Sequence, residues 1–188
     1  MSYKLAFAEV MHLNNGIVES YVCKNKSCLN KLINVVQKNL TSTSVLILDL
    51  HNVTDLFDHT EHLSDFDICV LSFVGRAGET RNIARNDIIG RINSGQIKIG
   101  IMVFKRPSQR LIEKSKTIED VTGTKAWTIN HLNNCLKNKE LFFVDDSADH
   151  VELTNKYLGN NKNIHSFLVD GTKNNAKQAI HHINKFVC

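Results

Sequence analysis

The chain has 188 residues, of which 42% are hydrophobic, and this size and composition suit one globular domain with its own core. No apolar run reaches the ~20 residues that a membrane-spanning helix needs. Lys4, Glu9 and His12 interrupt any hydrophobic core of a signal peptide. We therefore expect a protein of the cytoplasm or nucleus with no membrane partner. The five cysteines lack C-x-x-C spacing, so we interpret them as reduced thiols.

The formal net charge of +4 is unevenly distributed along the chain. The segment Arg76–Lys116, here called the basic region, contains ten lysines and arginines and three acidic residues, a local balance of +7. The remainder of the chain therefore sums to −3. Such an asymmetry favours an anionic partner, for which nucleic acid is one candidate. An ordinary solvated surface is an equally good interpretation.

Short apolar runs recur along the chain, and they are nearly continuous rather than alternating, which is typical of strands buried on both faces. The runs are Leu5–Val10, Val45–Leu48, Ile68–Phe73, Ile97–Phe104, Leu141–Val144 and Ile164–Val169. Helical spacing of apolar residues occurs between them, over 29–36 with Ser27 as a predicted N-cap, over 129–136, and over 176–186. This alternation predicts an α/β fold: a doubly wound parallel sheet with helices on both faces.

We predict a single domain over residues 1–188. Within it, residues 1–40 form an N-terminal extension that packs on the core as a strand, a loop and a helix. Residues 44–170 form the core that carries the polar motifs described below, and residues 171–188 form a C-terminal helix. The sequence gives no indication of the oligomeric state.

Polar side chains stand where the predicted strands end. Asp49, Ser72 and the pair Asp145 and Asp146 each directly follow an apolar run, and Lys125 precedes the helix that leads into the last of these strands. Because ligands of such sheets bind at the carboxyl ends of the strands, we expect these side chains to converge. Clustered carboxylates repel one another unless a cation lies among them, and hard oxygen ligands suit Mg²⁺.

In order and spacing these residues resemble four motifs of the haloacid dehalogenase superfamily, chiefly its phosphatases, across residues 44–170. The matches are Asp49-Leu50-His51-Asn52-Val53 for Asp-x-Asp-x-Thr/Val, Ser72 after its strand, Lys125 in GTKAW, and the paired acids of LFFVDDSADH at 141–150. The alternative, in which Asp49 caps a strand and the paired acids form a turn, requires four matches in order by chance.

The resemblance implies the family's chemistry and its fold, here without a large cap domain. Asp49 would be the nucleophile that forms an aspartyl-phosphate, Ser72 would donate to a phosphoryl oxygen, and Lys125 would neutralise charge on the nucleophile and the transferring group. Mg²⁺ would offset the repulsion between Asp49 and the substrate phosphate. The implied metal ligands are Asp49, the backbone carbonyl of His51, and Asp145 or Asp146.

The first motif departs from the family at His51, which stands where the family has a second aspartate as general acid and base. Three interpretations remain open. Imidazole groups in general exchange protons near neutral pH, so His51 is a candidate acid and base in its own right. Alternatively, the protein forms the phospho-intermediate but hydrolyses it slowly. In the third interpretation the site binds ligands without turnover.

The sequence leaves no room for a large cap over the site. The first connection that could carry a cap, Asp55 to Asp67, has only 13 residues, and the second, Lys105 to Gly123, is long enough for a helix but not for a domain. An open site admits a phosphorylated macromolecule, and the basic region would lie on that side. The leading prediction is a Mg²⁺-dependent phosphatase. The alternative is a catalytically impaired binding protein with a nucleic-acid or protein partner.

Overall fold

The computed structural model describes residues 7–25, 27–55, 63, 65–75 and 78–187. Its strands are β1 (Ala8–Asn14), β2 (Ile17–Cys23), β3 (Ser44–Leu48), β4 (Asp67–Phe73), β5 (Ile99–Val103), β6 (Glu140–Asp145) and β7 (Ile164–Leu168). Its α-helices are α1 (Ser27–Asn39), α2 (Gly78–Asn93), α3 (Gln109–Lys114), α4 (Lys125–Cys135), α5 (Ala148–Leu158) and α6 (Lys173–Val187). An irregular turn (Leu50–Thr54) follows β3, and a short 3₁₀ turn (Ile118–Val121) precedes α4.

The seven strands form one sheet in the order β2-β1-β5-β4-β3-β6-β7. Strands β5, β4, β3, β6 and β7 are parallel to one another. After β3 the chain builds β4 and β5 on one side of it and then crosses to build β6 and β7 on the other. The order therefore reverses between β3 and β6, and in open α/β sheets the crevice for a ligand opens at this point, outside the carboxyl ends of the strands.

Helices cover both faces of the sheet, as the sequence predicts. On one face α1, α4 and α5 pack on a core that includes Val36, Ile47, Leu132 and Phe143. On the other face α6 packs against residues of β3 and β6, and α2 packs against residues of β4 and β5. The predicted α/β class with helices on both faces is confirmed. Every residue of β3 and of β5 is buried, which explains their unbroken apolar sequences.

The N-terminal extension differs from the prediction by one strand, because β2 pairs with β1 as an antiparallel hairpin. Strand β1 also lies antiparallel to β5, so the sheet is mostly rather than wholly parallel. A sequence signal for this hairpin exists: Asn15 and Gly16 form its two-residue turn, with φ of 50° and 81°. Asn-Gly is the preferred pair for such a turn because both positions need positive φ.

No separate cap domain covers the carboxyl edge of the sheet in the described residues. Thr54 ends the turn after β3 and Asp67 begins β4, so only 12 residues lie between them. The connection from β5 to β6 holds α3, the 3₁₀ turn and α4. None of the helices described is long and apolar enough to cross a membrane.

Gly100 in β5 provides a test of the packing between the sheet and α2. A Cβ atom at this position would lie 2.1 Å from the Cγ2 atom of Ile88. We expect Gly100→Ala to lower the free energy of unfolding by about 1–3 kcal/mol, because the buried side chain of Ile88 must shift and α2 with it. Urea denaturation measures the change.

Gly90 in α2 is the matched control, since a Cβ atom there meets no other atom within 4 Å. Gly90→Ala should raise the free energy of unfolding by up to ~1 kcal/mol through helix propensity. Equal denaturation midpoints for Gly100→Ala and the wild type would contradict the packing described here.

Candidate functional site

Asp49 and Asp145 lie on either side of the point where the strand order reverses. Asp49 directly follows β3, and Asp145 is the last residue of the adjacent β6. The backbone N–H of Asp49 donates to the carbonyl of Val144 at 3.1 Å, so the two strand ends are joined up to the carboxylates themselves. Asp49 is 6% exposed and Asp145 is fully buried. The predicted convergence of these two acids is therefore present.

Lys125 places a positive charge between the two carboxylates. Its Nζ atom lies 2.6 Å from Oδ1 of Asp49 and 2.5 Å from Oδ2 of Asp145, and the side chain is 1% exposed. The lysine is the first residue of α4, whose N-cap Thr124 accepts a hydrogen bond from the backbone N–H of Trp127. The cap fixes where the helix begins, and this fixes the height of the ammonium group above the sheet.

Burial is the main influence on the pKa of Asp145. Removal from water raises the pKa of this carboxyl to about 6; Lys125 opposes the rise and the negative charge of Asp49 adds to it. The other oxygen of Asp145 accepts a hydrogen bond from the backbone N–H of Ser147 at 2.8 Å. Both oxygens of Asp145 therefore already have partners within the protein.

The irregular turn after β3 folds back onto Asp49 and leaves the side chain of His51 exposed to solvent. The backbone N–H and hydroxyl of Thr54 both donate to the carbonyl of Asp49, at 3.2 and 2.5 Å. Asn52 has a left-handed conformation with φ of 58°, and its amide donates to Oδ2 of Asp146 at 3.0 Å. His51, which directly precedes Asn52 in the turn, is exposed. The turn thus links the first predicted motif to the fourth.

Asp49, Asp145 and Asp146 form a cluster that fits a divalent cation. One carboxylate oxygen from each lies within 4.8 Å of the others. Oxygens on opposite sides of one Mg²⁺ are about 4.2 Å apart, so small movements would bring this set into range. With all three acids ionised, Lys125 leaves the group with two excess negative charges. Asp146 is only half-buried and accepts no hydrogen bond from Lys125; its hydrogen bond among the described residues is the one from the amide of Asn52.

These residues line an open cleft of about 160 Å³ at the carboxyl edge of the sheet. Its lining includes five of the six residues that the sequence predicts for the site, together with four others. The lining residues are Asp49, His51, Phe73, Arg106, Lys125, Asp145, Asp146, Ser147 and His150.

His150 is a member of the cleft that the sequence does not identify. It lies in the first turn of α5, is 4% exposed, and its Nδ1 atom is buried with no hydrogen-bond partner among the described residues. Burial lowers the pKa of His150 to about 3, and the positive charges of Lys125 and Arg106 act in the same direction. The imidazole is therefore neutral at physiological pH. Only its position five residues after Asp145 could have pointed to it.

Ser72, the predicted donor to phosphoryl oxygens, is not among the residues that line this cleft. It lies near the end of β4, is fully buried, and its hydroxyl donates to the carbonyl of Phe73 at 3.4 Å. Its neighbour Phe73 lines the cleft instead.

Apart from Lys98, which is exposed just before β5, the described cations of the basic region fall into two parts. Arg76 lies outside the described residues. In α2, Arg81 and Arg85 form ion pairs with Glu9 at 2.8 and 3.1 Å, and Arg91 pairs with acids as well. A second part is exposed and lies between β5 and the 3₁₀ turn; its cations are Lys105, Arg106, Arg110, Lys114 and Lys116. Of these, Arg106 lines the cleft.

Comparison with models of protein families finds no match, and comparison with curated proteins finds none either. The resemblance to the haloacid dehalogenase superfamily thus rests on the motif residues alone, and it stays a prediction.

The buried lysine gives a sharp stability prediction. We expect Lys125→Met to lower the free energy of unfolding by about 3–5 kcal/mol, because Asp49 and Asp145 lose their buried counter-ion. Lys98→Met, which changes an exposed lysine, should cost less than ~0.5 kcal/mol. Adding Asp145→Asn to Lys125→Met should restore part of the loss. A Lys125→Met protein as stable as the wild type in urea would contradict the ion pairs.

His150 predicts a pH dependence of stability. The unfolded chain binds a proton at this histidine below pH ~6.5, whereas the folded protein does so only near pH 3, so stability falls as pH decreases through this window. His150→Gln should remove up to ~1.4 kcal/mol of that loss per pH unit. Urea unfolding at pH 7 and pH 5 measures the slope. His182→Gln, at an exposed position of α6, should leave the slope unchanged.

Proposed function

We propose that the protein is a Mg²⁺-dependent phosphohydrolase that cleaves phosphate monoesters through an aspartyl-phosphate on Asp49. One observation carries the proposal: Asp49, Asp145, Asp146 and Lys125 assemble at the reversal point of the sheet in an open cleft. The same four residues are the ones that the motif resemblance assigns to this chemistry.

Asp49 is placed to act as a nucleophile. Lys125 contacts its Oδ1 atom, while its Oδ2 atom makes no hydrogen bond to any residue that the structure describes. A free carboxylate oxygen at the floor of a cleft can approach phosphorus in line with the leaving group. Lys125 withdraws charge from the carboxylate and balances the negative charge of the transition state.

Mg²⁺ fits the donor set, since the three acids offer hard oxygens and an excess negative charge. Asp49 and Asp146 would hold it, with Asp145 and the backbone carbonyl of His51 as further ligands. Bound there, the cation supplies a positive charge that offsets the repulsion between Asp49 and the substrate phosphate.

His51 is the acid and base of the proposed mechanism. It lines the cleft two residues after Asp49 and is exposed, so it exchanges protons directly with water. Asp49 attacks phosphorus, the bond to the leaving oxygen breaks, and that oxygen takes a proton from His51. Water then attacks phosphorus, His51 accepts the proton from the water, and inorganic phosphate leaves with Asp49 restored.

The proposal predicts metal-dependent turnover that requires Asp49. With a panel of phosphate monoesters, the wild type should release inorganic phosphate in Mg²⁺ and lose this activity in EDTA. Asp49→Asn should reduce kcat by at least ~10³-fold, because the nucleophile is removed. Asp149→Asn is the matched control, since Asp149 lies within the fourth motif but does not line the cleft.

His51→Asp separates the three interpretations of the first motif. A fall in kcat supports His51 as the acid and base, whereas a sharp rise shows that the histidine limits turnover. If neither the wild type nor His51→Asp turns over any substrate, the phosphohydrolase proposal fails. Ligand binding that survives Asp49→Asn in that case would favour the catalytically impaired binding protein.

A further inference from the structure

The cleft needs a group that receives the phosphoryl oxygens, and the predicted one is absent from its lining. Ser72 does not line the cleft. Lys125 already contacts two carboxylates. Arg106 remains as a permanently charged donor at the cleft wall, and His150 as a buried imidazole with an unpartnered nitrogen.

We propose that Arg106, assisted by His150, binds the phosphoryl oxygens of a phosphate monoester, the task that the motif resemblance gives to Ser72. This inference rests on the proposed function and assigns the dianion of a terminal phosphate group as the ligand. A planar guanidinium donates two parallel hydrogen bonds, and a terminal phosphate offers the pair of free oxygens that this geometry requires.

The backbone around Arg106 is constrained at the point from which this side chain reaches the cleft. Arg106 follows β5 and directly precedes Pro107, the single proline of the chain, which is buried. A residue before proline is restricted to extended conformations. Ser108 then caps α3 by accepting a hydrogen bond from the backbone N–H of Leu111. The arginine thus stands between a buried strand and a capped helix.

Arg106 is also available for a ligand. It is exposed, and no ion pair or hydrogen bond to it is found in the described parts of the chain. This distinguishes it from Arg81, Arg85 and Arg91 of the same basic region, which have acidic partners.

Charge balance gives Arg106 a specific task. Three ionised carboxylates against Lys125 and Arg106 leave the cleft with one negative charge, and a divalent cation changes this to one positive charge. Without the arginine the loaded cleft would be neutral and would attract a dianion less strongly.

His150 contributes a second, neutral contact. Its Nδ1 atom is buried without a partner, and a buried polar atom of this kind is normally satisfied by protein, water or ligand. The imidazole lines the same cleft as Arg106. A phosphoryl oxygen is an acceptor that the neutral ring can satisfy through its N–H group.

The test measures binding of inorganic phosphate to the full chain in Mg²⁺ by isothermal titration calorimetry. Arg106→Gln should weaken phosphate binding at least about tenfold, as expected for loss of a charge-assisted pair of hydrogen bonds. Lys105→Gln removes the same charge one residue away, outside the cleft lining, and should weaken it less than about twofold. Ser72→Ala should also change the affinity less than about twofold.

Two further variants make the result specific. Arg106→Lys keeps the charge but loses the two parallel hydrogen bonds of the guanidinium group. Its phosphate affinity should therefore lie between those of Arg106→Gln and the wild type. His150→Gln should weaken binding by about two- to tenfold, the range of a neutral hydrogen bond. Urea midpoints confirm that each variant is folded.

The inference is overturned if the wild type binds no phosphate, if Arg106→Gln and Lys105→Gln weaken binding equally, or if Ser72→Ala alone abolishes it. Failure of the proposed function has a different signature. In that case phosphate binds and depends on Arg106, yet no monoester is hydrolysed by the wild type. If the wild type hydrolyses monoesters but Arg106→Gln binds phosphate as tightly as the wild type does, only this inference fails.

Discussion

The ammonium group of Lys125 between Asp49 and Asp145 is the interaction on which the site depends. It is buried together with both carboxylates, so all three groups have lost most of their contact with water, and both acids depend on the ammonium group as their counter-ion. The lysine comes from α4, whereas the acids end β3 and β6. Two ion pairs of one lysine therefore fix a helix against the two strands between which the sheet order reverses, and the cleft opens beside them.

This arrangement also explains why the acidic cluster remains short of positive charge. Lys125 balances one of three carboxylates, and the pKa of Asp145 is raised mainly by burial and to a smaller extent by the negative charge of Asp49. Asp146 lies outside the lysine contact and is held instead by the amide of Asn52, which leaves it half-buried. A cation entering the cleft would meet Asp146 first and Asp49 behind it.

The sequence was most informative where an unbroken apolar strand ends in a polar residue. The runs before Asp49 and Asp145 reveal buried strands, and the parallel sheet then places both acids at one edge. Lys125 could be identified only from the spacing of the motifs, because 76 residues separate it from Asp49. The β1–β2 hairpin had a local signal in Asn15-Gly16 that the reading by apolar runs overlooked.

Other members of the cleft could not be found in this way. Arg106 is one of ten basic residues in its region, and only the path of the chain after β5 separates it from the others. His150 occurs on a helix face beside buried apolar residues, where a histidine ordinarily has a structural role. Ser72 shows the converse: its place at a strand end fits the motif, but side-chain direction within the last pleat decides which residue faces the cleft.

The substitution at His51 and the position of Arg106 bear on the same quantity, the charge at the mouth of the cleft. An aspartate at position 51 would add a negative charge beside an already acidic cluster, whereas an imidazole carries no negative charge whether or not it is protonated. In an open cleft with Arg106 at its wall, this difference favours the approach of a dianion over its repulsion. Compared with an aspartate, a histidine at position 51 therefore weakens the electrostatic barrier to anion entry. This would benefit a site that is limited by capture of an anionic ligand rather than by proton transfer.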